Sequence, residues 1–364
     1  MYDSPMDPRT PYKGRGAPNN PPNRFEELHV ERETETDDPD DPAPGTRFFV
    51  DRTRTILARN DSPDIGFSFS INPYRGCEHG CIYCYARPFH EYLGLSAGLD
   101  FETKIFVKTE APRLLRHELM KPSWKPVTIV MSGVTDCYQP VERRLKITRQ
   151  CLEVLAEFRQ PVGLITKNAL ITRDIDVLSE LARYNAVSVT VSVTTLVREL
   201  QQILEPRTSI PSARLAAIHA LAKAGIPIGV NVAPIIPGLT DHEMPAILNA
   251  AREAGAIRAG YTMIRLPYAV APLFEKWLEV HRPLAKDKVL HRIREMRGGK
   301  LYDSRWGTRM TGEGIYAEHL DHLFDIAVRK AGFPDHTPHL TAEHFRRSSG
   351  PQLQLFEEDP SSQS

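Results

Sequence analysis

The sequence carries no net charge, because 46 Lys and Arg residues balance 46 Asp and Glu residues over 364 positions. No global field therefore recruits nucleic acid or a membrane surface, and an electrostatic partner has to be met by a local patch. Long hydrophobic runs are missing as well. None approaches the roughly 20 residues that a bilayer-spanning helix needs, and the first residues lack the apolar stretch of a secretion signal. The expectation is a soluble cytoplasmic protein. Cysteine is scarce, at five residues, which is thin for a disulfide framework in a chain of this length. Three of the five sit close together, a pattern of a reducing compartment and of metal binding.

Residues 1–45 have almost no large aliphatic side chains and are rich in Pro, Asn, Asp, Glu and Arg. Such a stretch buries too little apolar surface to offset its ordering entropy, so a disordered tail is expected. Its acidic run from Glu33 to Asp41 reads as a solvated segment. From Phe48 the texture changes, and strand patterns at Phe67–Ile71 and Phe101–Lys108 precede a helix over 112–120. Apolar runs at 127–131, 162–165, 186–193, 226–232 and 259–264 then alternate with amphipathic helices, including 142–158, 211–224 and 241–254. Short apolar strands alternating with such helices mean a parallel sheet covered by helices. About six units are present, too few for a closed eight-fold barrel. A partial (β/α)6 barrel and an open doubly wound sheet are the two candidates, and both place ligands at the carboxyl ends of the strands.

The stretch around which the chain is organised is Cys77-Glu78-His79-Gly80-Cys81-Ile82-Tyr83-Cys84-Tyr85. Three thiolates leave one position open on a four-metal cubane, as a catalytic centre needs and a structural one avoids. A zinc knuckle completed by His79 or His90 is the alternative reading of the same residues. At the strand ends stand Ser132-Gly133-Val134-Thr135-Asp136-Cys137, then Thr166-Lys167-Asn168, then Ser192, Thr194 and Thr195, then Asn231 and a Pro-Ile-Ile-Pro-Gly loop at 234–238.

The spacing C-x3-C-x-aromatic-C, with Tyr83 as the aromatic, resembles the signature of the radical S-adenosylmethionine (SAM) enzymes. Thr135-Asp136-x-Tyr138-Gln139-Pro140-x-Glu142, Thr166-Lys167-Asn168, Leu204-Glu205-Pro206-Arg207 and the proline loop resemble the spore photoproduct lyase-like branch, described as DNA repair photolyases. The resemblance spans roughly residues 67–266. It implies a partial (β/α)6 barrel and a 4Fe–4S cluster on Cys77, Cys81 and Cys84. It further implies reductive cleavage of SAM to a 5′-deoxyadenosyl radical that abstracts hydrogen from a substrate. Lys167 and Ser192 would contact SAM, with Thr135 and Asp136 close to it, Tyr83 near the adenine and Tyr85 on the substrate side. Thr194 and Asn231 join them as strand-end polar residues of the cofactor site. An electron donor such as a flavodoxin or ferredoxin is also implied.

The chain departs from that lyase where its hydrogen-donating cysteine is expected, since Ser132-Gly133-Val134 holds no thiol. Cys137 is the candidate substitute, against a plain core role for it and for Cys151. The leading substrate is a damaged or modified nucleobase in DNA, which would have to leave the stack to reach a buried radical. RNA or a protein side chain is the alternative substrate, and a zinc-bearing nucleic-acid binder the alternative function.

Beyond the barrel region, 46–285, a helical and basic extension is expected over 286–345. Its Arg292, Arg294, Arg297, Lys300, Arg305 and Arg309 interleave with Tyr302 and Trp306, residue types that neutralise phosphates and stack on unpaired bases. Arg265 follows the last strand and belongs to the same mouth. A flexible tail, 346–364, carries Gln352-Leu353-Gln354-Leu355-Phe356, which resembles the peptide by which bacterial repair enzymes dock on the sliding clamp.

Overall fold

A computed structural model describes residues 12–25 and 45–347. Ten strands are described: β1 Arg47–Val50, β2 Leu57–Arg59, β3 Phe69–Ile71, β4 Tyr74–Arg75, β5 Lys104–Val107, β6 Ile129–Met131, β7 Val162–Thr166, β8 Val187–Val193, β9 Ile228–Ile235 and β10 Arg258–Met263. Seven of them make one sheet in the order β10-β9-β8-β7-β6-β3-β2. Within it β3, β6, β7, β8, β9 and β10 run parallel, and β2 is an antiparallel edge. Six parallel strands, linked by helices and paired in chain order without closing on themselves, are the expected partial (β/α)6 barrel. A smaller sheet, β1-β5-β4, stands beside it.

Side chains alternate across a strand, and the two faces of this sheet differ in kind. Val187, Val189, Val191 and Val193 of β8 and Ile228, Val230 and Val232 of β9 join the main core beneath the helices. The intervening Ser188, Thr190 and Ser192 on β8 and Gly229 and Asn231 on β9 face the other way, into the concave side. On that side even the aliphatic Ile165 is 37% exposed. The concave face is therefore lined by small and polar residues rather than by the aliphatics of the main core.

Several local expectations give way to tertiary constraints. Residues 99–103 form a helix, and the strand expected over 101–108 begins only at Lys104. The turn there is held by Asp100, which accepts from the Ser96 amide at 3.1 Å and from the Asn20 side chain at 3.1 Å. The helix expected over 142–158 breaks at Lys146, a left-handed residue with φ of 56°. The break lets the buried Glu142 carboxylate accept from the Thr148 amide at 3.0 Å while it also bonds Tyr74 and Arg173. Helix Ile315–Ala331 lies within the extension and packs against helix Met244–Glu253, with Tyr261 donating to Asp321 at 2.9 Å.

The tails are corrected where they are described. Residues 12–25, expected to be disordered, lie against the body, with Ala17 fully buried and Arg15 nearly so. Hydrogen bonds add to the burial of Ala17 and the packing of Tyr12 in a core cluster: the Gly16 and Ala17 amides donate to Glu102 at 3.0 and 2.8 Å, and Asn23 donates to the Glu91 and Leu95 carbonyls. At the other end Arg346 and Arg347, assigned to the flexible tail, donate to the carbonyls of Glu157 and Trp124 at 3.0 Å each. The acidic run and the Gln352–Phe356 peptide fall outside the described residues. Among the described residues no helix is long and apolar enough to cross a membrane.

Candidate functional site

The cysteine loop starts at the carboxyl end of β3 and is gripped from beneath. Arg87, wholly buried, donates twice to the Cys81 carbonyl, at 3.0 and 2.9 Å, and pairs with the buried Glu102 at 2.5 Å. Gln139 accepts from the Glu78 amide at 2.9 Å and donates to the Gly76 carbonyl at 3.2 Å. Glu78 in turn accepts from the Val141 amide at 2.7 Å and pairs with Arg207 at 3.1 Å. Glycine is required at position 80, where φ is 67° and a Cβ would meet the Glu102 carboxylate at 2.8 Å. The loop is thus fixed by charges whose partners come from β6, from helix 99–103 and from the 207 region.

The three sulfurs lie among apolar side chains. Cys81 shares a buried cluster with Ile82 and Tyr83, Cys77 shares another with Ala86 and Phe101, and Cys84 packs against both. Burial, together with the neighbouring thiols, pushes Cys84 up to about 11 and Cys81 well above the ordinary thiol value. Buried in this way, Cys81 and Cys84 need a cationic centre to ionise, and a coordinating metal supplies it. Among the described residues no three His, Cys, Asp or Glu groups are gathered to hold one metal ion. Three cysteine thiols match the donor set of an iron–sulfur cluster that keeps one iron open. Of the two imidazoles considered as zinc ligands, His79 is engaged at both nitrogens, whereas the buried His90 Nε2 has no hydrogen-bond partner among the described residues. His79 lies 3.4 Å from Asp136 through Nδ1 and 3.1 Å from the Asn168 amide through Nε2, and His90 packs edge-on against Phe101. Burial works against a charge on His79, but Asp136 and Cys77 outweigh it and raise its pKa to about 10.

Across the concave face stands a charged wall built on the ends of β7 and β8. Glu205, fully buried, bonds Arg214 and Tyr83, accepts from Thr194 at 2.6 Å and lies 3.3 Å from the Lys167 ammonium. Burial opposes its ionisation, but Arg214 and Lys167 outweigh that and hold its carboxyl below the usual range. Lys167 also donates to Thr194 at 3.1 Å and to the Ala233 carbonyl at 2.6 Å. The structure therefore brings Tyr83, Lys167 and Thr194 into one network. Ser192 and Asn231 lie next to it as register partners on β8 and β9, with the Asn231 amide 3.5 Å from Thr262. The wall gathers an ammonium, hydroxyls and an amide at the strand ends, with the Lys167 ammonium shared by Thr194, Ala233 and Glu205.

Asp136 and Thr135 take a different part from the one expected of cofactor ligands. The Asp136 carboxylate is used up by the Thr166 hydroxyl, the Tyr138 and Lys167 amides, at 2.8 to 2.9 Å, and His79. The buried Thr135 hydroxyl lies 3.4 Å from the Tyr74 carbonyl. Both tie the β6 loop to the cysteine loop and to β7. Cys137 needs the larger correction as a candidate catalytic thiol. It is wholly buried in the main core, and burial pushes its thiol well up. Ser132, in a left-handed conformation at φ of 86°, accepts from the Cys137 amide at 2.9 Å, and the chain leaves that turn with Asp136 toward the site and Cys137 toward the core. Cys151 is core, as expected.

Tyr85 is 41% exposed at the mouth, donates to the Gly133 carbonyl at 2.7 Å and lies under the Arg265 guanidinium, 4.7 Å from its ring centre. Arg265 otherwise touches the Met310 sulfur, and its Nε has no hydrogen-bond partner among the described residues. The basic stretch expected over 292–309 is less free than its composition suggests. Arg292 pairs with Asp241, Arg294 with Glu275, Arg305 with Asp303 and Glu313, and Arg309 with Asp64. Arg297 is buried on the Thr308 and Ile264 carbonyls. Trp306 stays 63% exposed.

Sequence reasoning missed Arg87, Glu102 and Arg214. Glu205 was visible only as part of a Leu-Glu-Pro-Arg motif, which is also the signal that could have found it.

The family model described as "Radical SAM superfamily" matches residues 71–251. An uncharacterized protein of Mycobacterium tuberculosis (strain ATCC 25618 / H37Rv) is 38% identical over 232 residues, 63% of this chain and 67% of that protein. An uncharacterized protein of Methanocaldococcus jannaschii is 29% identical over 178 residues, 49% of this chain and 64% of that one. Among solved structures, a mutant of spore photoproduct lyase matches with a TM-score of 0.58 at 16% identity, covering 78% of this chain and 79% of that chain. The same lyase complexed with dinucleoside spore photoproduct matches with a TM-score of 0.56 at 17% identity, with the same coverage. At such identity the likeness is one of fold.

Proposed function

The chain belongs to the radical SAM superfamily, whose members use a 4Fe–4S cluster and SAM, and on that premise we propose that it is an enzyme acting on a damaged or modified nucleobase in DNA. Cys77, Cys81 and Cys84 would hold the cluster. Bound there, the cluster would supply the one electron for reductive cleavage of SAM, the family's source of a hydrogen-abstracting radical. The remaining work falls to the chain's own side chains. Lys167 receives the SAM carboxylate, with Glu205 and Thr194 keeping its ammonium at the wall. Ser192 and Asn231 offer polar groups on the concave face, and Tyr83 lies between the cysteine loop and Glu205. Tyr85 and Arg265 frame the mouth, where an unstacked base would meet an aromatic face and a cation.

The observation that carries this reading is the network by which Tyr83 of the three-cysteine loop meets Glu205 and Lys167 at the ends of the parallel strands. The DNA substrate is supported more narrowly, by a fold shared with a lyase solved with a dinucleoside photoproduct and by the Tyr85–Arg265 mouth. The test is anaerobic reconstitution, reduction and incubation with SAM and ultraviolet-damaged, alkylated or undamaged DNA. The expected result is 5′-deoxyadenosine or reused SAM together with a changed base in one damaged DNA. Cleavage of SAM with no DNA altered, but with an RNA or peptide altered, would move the substrate to that class. Docking of Gln352, Leu353, Leu355 and Phe356 on a sliding clamp is proposed alongside, and is tested by clamp binding of the full chain with and without Phe356→Ala.

A further inference from the structure

The small sheet beside the barrel has an exposed face that the proposed reaction leaves unexplained. Residues in register on neighbouring strands share a face. Arg47 of β1 is opposite Lys104 of β5, Phe49 opposite Phe106, and Arg75 of β4 also opposite Phe106. One side of this sheet therefore presents two stacked aromatic rings, with centroids 5.2 Å apart, among three cations. β1 is an edge strand exposed along its whole length, with Phe48, Phe49 and Val50 exposed by 39%, 40% and 64%. Phe49 lies on the face just described, while Phe48 and Val50 alternate to the other side; an exposed large apolar group on an edge strand is normally avoided and marks a surface kept for a partner. The exposed Arg52 and Arg54 follow directly, and Arg144 lies over the Phe48 ring at 5.2 Å. Asp51 and Asp100 answer only part of this charge, pairing with Arg75 and Lys104.

Behind this face lies the cysteine loop. Phe106 packs edge-on against His90 at 6.1 Å and His90 against Phe101 at 5.6 Å. Phe101 shares a buried cluster with Cys77, against which Cys84 packs, and its carbonyl accepts from the Cys77 amide at 2.8 Å. A continuous run of packed rings thus leads from exposed Phe49 to two of the three cysteines. The mouth at Tyr85, Gly133 and Arg265 is a separate opening.

We propose that the outer face of the β1–β5–β4 sheet docks an acidic one-electron carrier protein that reduces the cluster. The proposal rests on the radical SAM reading, which requires one electron per SAM cleaved. The carrier's reduced flavin or low-potential iron–sulfur centre loses that electron and the cluster held by Cys77, Cys81 and Cys84 gains it, with no atom transferred. An apolar centre with a charged rim is the anatomy of a protein interface. Nucleic acid is a poorer occupant, since a strand bound here would present no base to the mouth.

The test uses the reconstituted full-length enzyme, anaerobically, with reduced flavodoxin as the acidic carrier and dithionite as the small-molecule control. Arg47→Glu and Phe49→Ser both change exposed groups, and the second probes the apolar centre without altering charge. The expected result is a fall of roughly tenfold in the second-order rate of cluster reduction by flavodoxin, with a weaker salt dependence for Arg47→Glu. Reduction by dithionite and the spectral response to SAM should stay as in the unaltered enzyme. Wild-type reduction rates with flavodoxin in both variants would overturn the docking face alone. So would unchanged flavodoxin rates with weakened DNA binding, which would give the face to nucleic acid. An unaltered enzyme without a dithionite-reducible, SAM-responsive cluster would instead remove the functional reading.

Discussion

The cysteine loop with its β7–β8 wall and the mouth beyond β10 use charge in opposite ways. In the first region nearly every buried charge is matched: Glu102 by Arg87 and two amides, Glu205 by Arg214, Lys167, Tyr83 and Thr194, and Asp136 by two amides, a hydroxyl and His79. In the second, Arg265 has an aromatic face and a thioether, and its Nε is left without a partner among the described residues. Preorganised dipoles and charges cost no rearrangement at the moment of reaction, so the matched region suits a cofactor that is always the same. An under-satisfied cation at an opening is held for a group that arrives from outside. On the proposed reading the wall serves the cofactor and the mouth serves the substrate.

The sharpest way to break this contrast is to remove one partner from the matched region. Arg87→Leu leaves Glu102 buried without its cation, and such a loss costs about 3–5 kcal/mol. Chemical denaturation should show that loss, and iron content after reconstitution should collapse with it. Arg265→Leu, by comparison, should cost under about 1 kcal/mol, as a change at a part-exposed position. Equal costs would erase the distinction.

Next in size is Lys167→Met. A hydrogen bond to a charged group contributes roughly 1.5–3 kcal/mol, so SAM affinity measured by calorimetry should fall about ten- to a hundredfold. Glu205 retains Arg214 in that variant, and the fold should persist. Arg265→Met should leave SAM affinity unchanged and weaken binding of the damaged DNA by roughly tenfold, the effect of about 1.4 kcal/mol. A weakened SAM affinity there would merge mouth and wall into one site.

The smallest effect is a pH dependence behind the cysteine loop. Burial lowers the His90 pKa from its ordinary value of 6.5 to about 4. The unfolded chain therefore binds this proton over a range where the folded chain does not, and stability falls as pH drops from above 6.5 toward 4. Between pH 7 and 6 the loss from this one group is about 0.7 kcal/mol. His90→Gln should flatten the denaturation-derived stability curve by that amount, and an unchanged slope would place the titration elsewhere.

The strand–helix rhythm and the strand-end positions were legible, because period and loop placement are local properties of the chain. Lys167 and Thr194 could be marked as strand-end residues for that reason, whereas Tyr83 was named only through the resemblance carried by the cysteine motif. The pairings that make the site rigid were not. Arg87 and Glu102 are ordinary charged residues in sequence, and only the fold of residues 99–103 as a helix turns the carboxylate beneath the loop. Arg214 lies near the start of helix Pro211–Lys223 and reads as a solvated cation until Glu205 is seen behind it. Cys137 misled because adjacent residues leave the Ser132 turn in opposite directions. The segment 12–25 misled because its order comes in part from amides and side-chain hydrogen bonds, which composition does not display.

The most direct measurement is electron paramagnetic resonance of the anaerobically reconstituted, reduced enzyme with and without SAM, alongside Cys81→Ala and Lys167→Met. The account predicts a 4Fe–4S signal that shifts on adding SAM, is lost in Cys81→Ala, and shifts in Lys167→Met only at higher SAM concentration. Zinc in place of iron, or an iron signal indifferent to SAM in the unaltered enzyme, would contradict it.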